Sequence, residues 1–399
     1  MPNLVKKNNC TGCMACVDSC AKKAIQIVEE QGLYYPTVDF TRCVECGICE
    51  KRCPQLHPIN PNRRSFLIVK GGWCVDSNMR KRAASGGAFS ALAKQALSQE
   101  YIVVGACLRD NGTVVHRVID RLDLLSLLQN SKYGQSNMAG IYIKVKDLLR
   151  NEKKVLFSGT PCQVAALRTY LAKDYDNLMT VDVVCNGVPS REAIELLIRK
   201  QKATKIISYR GKEFGWNDVL SQGVTYETST GVFFPKRSKD LFYRVFSCGL
   251  THRAVCCRCR YSKLPRYADI TLADFWGIRR FEEEWTDGIS LVVCNNKKGL
   301  DFVNGCDGLH LFDSTLEECV KANPRLVNGW KFHGWHPVMV WRKQIRKILG
   351  ERNYERIILN KMPYKLLWGV LRIMTTISNR VSIRKELRYE KENRNNNYL

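Results

Sequence analysis

No stretch of this 399-residue chain approaches the roughly 18 uninterrupted apolar residues that a membrane-spanning helix needs. The opening Met1-Pro2-Asn3-Leu4-Val5-Lys6-Lys7 lacks the apolar core of a secretory signal. A cytoplasmic location is therefore expected, and a reducing cytosol does not sustain a disulfide scaffold. Acidic residues are scarce, 38 Asp and Glu against 63 Lys and Arg. Such an imbalance resembles that of nucleic-acid binders, but the chain contains no recognisable nucleic-acid module and no nucleic-acid partner is expected. The surplus is also uneven: from Trp341 to Leu399 there are 15 Lys and Arg against 5 Asp and Glu. A basic surface suited to acidic partners or anionic lipid accounts for it better. Low-complexity sequence is confined to Asn395-Asn396-Asn397, and nothing repeats except one run of cysteines.

Cysteine is what the chain has in abundance, 19 residues in all. In a reducing compartment most of these must be ligands or buried thiols. Cys10-x2-Cys13-x2-Cys16-x3-Cys20 and Cys43-x2-Cys46-x2-Cys49-x3-Cys53-Pro54 have the spacing of [4Fe-4S] binding loops. A tight C-x2-C-x2-C loop presents three of the four thiolates a cubane needs, and in the bacterial two-cluster arrangement the last cysteine of each run ligates the other cluster. Cys10, Cys13, Cys16 and Cys53 are thereby assigned to one cube, and Cys43, Cys46, Cys49 and Cys20 to the second. The alternatives are two zinc sites or a disulfide framework. Zinc takes two pairs separated by a longer loop, and disulfides need an oxidising compartment. Ala21 follows Cys20 where the full pattern has proline, which shapes the turn without touching ligation.

The expected fold is mixed α/β. Residues 1–56 form a two-cluster ferredoxin-type module with a strand at Leu33–Val38, and His57–Arg64 reads as a linker rich in proline and asparagine. A core follows in two parts, 65–150 and 151–320. Ala88–Leu97 has helical composition, and Tyr101–Leu108 and Thr113–Ile119 flank Asp110-Asn111-Gly112, a strong hairpin signal. Val155–Gly159, a Thr160-Pro161-Cys162 turn and the helix Gln163–Leu171 make a strand-turn-helix unit, repeated by Met179–Val184, a loop over 185–190, and Arg191–Lys200. This alternation argues for an α/β sheet, with further strands at Ile206–Tyr209, Gly223–Thr228, Ala268–Leu272 and Ile289–Cys294. Residues 321–399 form a basic tail. Its segment Tyr364–Val381 reads as an amphipathic helix able to pack on protein or to make peripheral contact with a membrane surface.

Four later cysteines sit in loops where a ligand can be aimed: Cys162, Cys185, and the Cys256-x2-Cys259 pair. By spacing alone this pair suits zinc as well as a cluster. Five motifs in order are more specific: Ser85-Gly86-Gly87-Ala88, Lys132-Tyr133-Gly134-Gln135-Ser136, Ser158-Gly159-Thr160-Pro161-Cys162-Gln163, Cys185-Asn186-Gly187-Val188-Pro189-Ser190, and Cys256 to Cys259 followed by Ala268–Gly277. With these motifs the chain, over residues 1 to about 320, resembles the β-subunit family of the deazaflavin (coenzyme F-420) hydrogenases and dehydrogenases.

The resemblance implies a flavoprotein with FAD beside a third [4Fe-4S] cluster, held by Cys162, Cys185, Cys256 and Cys259, with Cys248 and Cys257 near enough to substitute. It also implies a cofactor site drawn from Ser85, Gly86, Gly87, Lys132, Tyr133, Gln135, Ser136, Gly159, Thr160 and Asp274. Residue chemistry agrees, because a pyrophosphate wants glycine and the N–H groups of a helix start, although a bare Ser-Gly-Gly is also an ordinary helix cap. Ala273 stands where the family pattern has glycine, and Asn186 where it has histidine.

The expected activity is an iron-sulfur flavoprotein oxidoreductase that exchanges hydride with a deazaflavin or another small-molecule substrate. The clusters would connect the flavin to a redox partner protein such as a ferredoxin. Two other readings stand: a non-catalytic electron-transfer subunit of a larger complex, since some relatives occur with polysaccharide-synthesis proteins, and a zinc-stabilised binding protein with a membrane-facing tail.

Overall fold

Short segments dense in valine, isoleucine and leucine, such as Val155-Leu156-Phe157, cannot all face one way in an extended chain, so both faces of their sheet must be covered. A computed structural model describes residues 2–60, 67–217, 222–237, 239–249, 251–329 and 350. The chain divides into two units, Met1–Val340 and Trp341–Leu399. The amphipathic segment Tyr364–Val381, most of the basic tail and the side chain of Cys248 lie outside the described residues. Among the described residues no helix is long and apolar enough to cross a membrane.

The N-terminal module is a hairpin and two one-turn helices. Strands β1 (Ile25–Glu30) and β2 (Leu33–Val38) pair antiparallel. Gln31 and Gly32 between them both have positive φ, the backbone a tight hairpin turn needs. Helices α1 (Ala15–Asp18) and α2 (Ile48–Lys51) each start inside a cysteine run, after Met14 and Gly47 in the left-handed conformation.

The core strands are β3 (Ile68–Cys74), β4 (Tyr101–Leu108), β5 (Val114–Ile119), β6 (Ser136–Asn137), β7 (Lys154–Ser158) and β8 (Leu178–Val183), then β9 (Lys205–Ser208), β10 (Thr225–Thr228), β11 (Gly231–Phe233), and finally β12 (Ile270–Asp274), β13 (Ser290–Cys294) and β14 (Leu309–Ser314). Nine of them form one mixed sheet in the order β14-β3-β13-β12-β8-β7-β4-β5-β6, while β9, β10 and β11 form a small separate one. The central strands β12, β8, β7 and β4 are parallel, and β13, β3 and β14 extend one side antiparallel. The fold is mixed α/β, as the alternation of strand and helix predicts.

Successive residues of the strands face opposite layers. Leu156, Met179, Leu272 and Val292 pack with helix α4 (Ala88–Ser98) on one face. Val155, Phe157 and Leu178 pack on the other with α5 (Ile141–Arg150) and α6 (Pro161–Leu171). The predicted hairpin forms as β4 and β5, and the predicted strand-turn-helix as β7 and α6. Strand β3 was not foreseen, because Lys70, Gly71 and Gly72 interrupt its apolar pattern. The glycines are needed where they stand, since a Cβ on Gly71 would lie 2.1 Å from the Phe312 ring and one on Gly72 2.2 Å from the His310 carbonyl oxygen.

A buried polar stitch fixes β12 beside β8. The side chains of Asp182 and Arg266 are both fully buried, with Arg266 Nη2 donating to Asp182 Oδ1 at 3.0 Å and to the Val183 carbonyl at 2.7 Å. Thr271 Oγ1 donates to the same carboxylate oxygen at 2.6 Å. Desolvation pushes the Asp182 carboxyl up in spite of the arginine. Arg266→Met strands that carboxylate and is expected to cost ~3–5 kcal/mol, whereas adding Asp182→Leu recovers most of the loss. Urea unfolding followed by far-UV circular dichroism measures both.

Candidate flavin and iron-sulfur site

In open α/β sheets the carboxyl ends of neighbouring parallel strands leave a crevice for ligands. Here β7 ends at Ser158 before Gly159 and Thr160, β8 ends before Val184 and Cys185, and β12 ends at Asp274; all of these residues line one cavity of about 770 Å3. Ser85 and Gly87, at the start of α4, close it from one side. The segment carrying Lys132, Tyr133, Gln135 and Ser136 closes it from another. Gly86 lies off the lining, packed where an added Cβ would meet the Ser290 amide nitrogen at 2.6 Å.

Each of these residues has a definite setting. The Lys132 ammonium donates to the Gln129 carbonyl, and burial pulls its pKa down to about 7. Tyr133 belongs to an aromatic wall with Tyr209, Tyr243 and Phe246. Gln163 Oε1 accepts from the Thr160 amide at 2.8 Å, and Thr160 Oγ1 lies 3.2 Å from Cys162 Sγ. Asp274 is committed to its neighbours: it accepts from Arg210 Nη1 and Trp216 Nε1, each at 2.7 Å. Arg210 and Trp276 line the cavity too, and Trp276 stacks on Trp216 with ring centroids 4.4 Å apart. Asp274 therefore organises a wall and offers no free base.

His116, on β5, was not anticipated. Its Nε2 lies 3.0 Å from the Ser158 carbonyl, which can only accept, so Nε2 carries the proton. Nδ1 must then accept from Ser136 Oγ at 2.7 Å, which leaves Ser136 with lone pairs toward the cavity. Burial holds His116 neutral, its pKa lowered to about 4. Only its alternation along β5 hinted that it faces inward, and no sequence signal marked Arg210.

The cysteines gather in groups. Cys13 and Cys16 each lie within electrostatic reach of Cys10 and Cys53. Cys49 lies beside Cys46, and Cys20 Sγ accepts from the Ala24 amide at 3.2 Å. In the core, Cys259 is within reach of Cys162, Cys256 and Cys185. Cys162 and Cys185 line the cavity, whereas Cys256 and Cys259 lie off its lining. Cys257 is turned away, its thiol donating to the Ala254 carbonyl at 2.9 Å. Burial pushes the Cys162 and Cys256 thiols up to about 12, so these groups hold their protons until a metal displaces them.

The donor sets fit iron-sulfur clusters. Backbone amides of Gly187 and Val188 point at Cys185 Sγ and Cys256 Sγ, each at 3.4 Å, and the Gly12 amide points at Cys10 Sγ at the same distance. Hydrogen bonds to sulfur favour the thiolate and tune a cluster's potential. Among the described residues no three His, Cys, Asp or Glu side chains close on a point as one bound ion requires. A cubane, whose thiolates each take a different iron, sets its sulfurs farther apart.

Residues 9–56 match the 4Fe-4S dicluster domain, and residues 152–309 match the family model for the C terminus of the coenzyme F420 hydrogenase/dehydrogenase beta subunit. The chain thus joins an iron-sulfur dicluster domain to an F420 hydrogenase/dehydrogenase beta-subunit region. Among solved structures, a chain of the xenon-derivatized F420-reducing [NiFe] hydrogenase complex from Methanosarcina barkeri is similar at 17% identity and a TM-score of 0.44, over 73% of this chain and 96% of that one. Comparison with curated proteins finds no match. Within the beta-subunit region lie Cys162, Cys185, Cys256 and Cys259, and the cavity walls formed by β7, β8 and β12. Replacing Cys162 or Cys185 by serine is expected to remove one cluster's share of iron while the signals of the dicluster domain persist. Iron analysis with electron paramagnetic resonance (EPR) checks this, and unchanged iron sinks the assignment.

Proposed function

We propose that this chain is an iron-sulfur flavoprotein oxidoreductase, with FAD in the cavity and a third [4Fe-4S] cluster on Cys162, Cys185, Cys256 and Cys259. One observation carries the reading: Cys162 stands at once in the cavity wall and against the apolar core that holds Cys13. The hydroxyl of buried Tyr142 lies within electrostatic reach of both sulfurs. Electrons entering at the cavity have a short buried route to the first dicluster set. FAD, when bound, exchanges a hydride with a small molecule and passes the two electrons singly to clusters.

The residues divide the work. Backbone N–H groups at the starts of α4 and α6, with Lys132, suit the pyrophosphate. Ser136 accepts a hydrogen bond from the ligand, and the aromatic wall around Tyr133 keeps water out. A deazaflavin or another small molecule is the hydride partner. At the far end Cys46 is exposed, and nearby Phe40, Val44 and Ile48 stand 54%, 59% and 43% exposed, a surface suited to a redox partner protein.

Anaerobic purification followed by iron count and flavin release tests the reading. It expects FAD and iron for three clusters, while a chain that binds no flavin and is not bleached by reductants is a bare electron-transfer subunit. A pH dependence is also expected. With a ligand-free pKa of about 7, Lys132 is charged below neutrality and neutral above it. An anion raises that pKa, so FAD affinity falls as pH rises through 7, by up to about tenfold per unit. Lys132→Met flattens this slope and weakens binding at pH 6 by roughly 10- to 100-fold, readable by fluorescence titration.

A further inference from the structure

A single buried guanidinium lies where the cysteine module, the cavity wall and the core cysteines meet. Arg253 is 1% exposed. Its Nη1 donates to the Cys10 carbonyl at 3.1 Å, and its Nη2 donates to the Tyr34 carbonyl at 2.6 Å and to Gln135 Oε1 at 2.7 Å. It also sits 4.4 Å from the centre of the Tyr35 ring. Its charge reaches the core set as well, where it favours the ionised forms of Cys162 and Cys256. The packing is close: a Cβ on Gly12 would lie 2.2 Å from Gln135 Nε2 and 2.6 Å from Arg253 Nη2.

Every hydrogen bond shown for this side chain goes to a neutral oxygen, and Nε finds no partner among the described residues. A buried cation without a carboxylate is costly unless counter-charge comes from elsewhere. Four thiolates around an oxidised cubane leave about two negative charges, and each reduction adds one more. Two such groups, one on either side, supply what the arginine lacks.

We propose that Arg253 is the shared counter-charge of the Cys10/Cys13/Cys16/Cys53 cluster and the Cys162/Cys185/Cys256/Cys259 cluster, and that it raises both reduction potentials together. The proposal rests on the cluster assignments above. A fixed positive charge stabilises the reduced, more negative state of whatever lies beside it. Placed between two centres, it moves both in the same direction, so the step between them stays small while their level against the outer cluster changes. The outer cluster, on Cys43, Cys46, Cys49 and Cys20, is not among the groups its charge is seen to act on and serves as an internal reference.

The test is an EPR-monitored redox titration with iron analysis on the anaerobically purified full chain. In Arg253→Met the two inner midpoints are expected to move to more negative values, with the outer one and the iron content unchanged. Arg253→Lys, which keeps the charge and loses the fork, returns them most of the way. Unmoved inner midpoints in Arg253→Met overturn the proposal, as does an equal shift in Arg253→Lys, which marks a purely structural role. Should Arg253→Met lose iron, Gln135→Glu sets a carboxylate against the retained guanidinium. Lowered inner midpoints then support the proposal and unchanged ones reject it. A wild-type chain with iron for only two clusters removes the core-cluster assignment, while a lowered midpoint of the Cys10 set in Arg253→Met still upholds the arginine's role there.

Discussion

The seating of a small cysteine module on the edge of a parallel sheet is the constraint from which the rest of this structure follows. Asp18, at the end of α1, accepts hydrogen bonds from the Gly140 and Tyr142 amides at 2.7 and 3.0 Å, capping α5 with a carboxylate from the module. Arg52 donates to the Thr169 carbonyl at the end of α6, and Arg253 reaches back to Cys10. These bonds tie the module to the helices and loops that frame the cavity. They bring Cys13 into the apolar core against which Cys162 and Cys259 pack. Without that seating the chain would hold a ferredoxin-type domain and a separate cavity; with it, the two share buried atoms.

Local chemistry was legible in the sequence wherever it was contiguous. The two cysteine runs, the Asn-Gly hairpin and the strand-turn-helix around Pro161 each depend on neighbours within a few residues, and each forms where expected. The core cysteines are different, because Cys162, Cys185 and the Cys256–Cys259 pair come from three loops that only the sheet order brings together. The family motifs pointed to that set where spacing could not. Even the choice between Cys256 and Cys257 depends on backbone geometry. Ala254–Arg258 is a 3-10 helix, in which residues three apart face the same way, so Cys256 and Cys259 project together while Cys257 turns inward.

What stayed hidden was mostly polar and buried. Arg210, Trp216 and Gln222 hold Asp274 in place, and Arg253 with Gln135 holds the module, yet none of them stands in a pattern that periodicity can reveal. Their roles arise from partners tens to hundreds of residues away. Strand β3 was missed for a related reason: its glycines answer to Phe312 and His310, not to their own neighbours. Burial then sets the chemistry of the cavity, leaving Lys132 only weakly basic and His116 uncharged at neutral pH.

The bond from His116 to the Ser158 carbonyl fixes the direction of every proton in its short chain. Ser136 spends its hydrogen on the imidazole, so at that spot the cavity wall is a permanent acceptor. A heterocycle whose edge nitrogen bears hydrogen is welcomed there, and the same nitrogen with a bare lone pair is repelled. For a ligand that gains that hydrogen on reduction, the wall binds one oxidation state more tightly than the other. A serine hydroxyl, oriented by a neutral histidine, thereby turns the polarity of one hydrogen bond into a bias on the ligand's own reduction equilibrium.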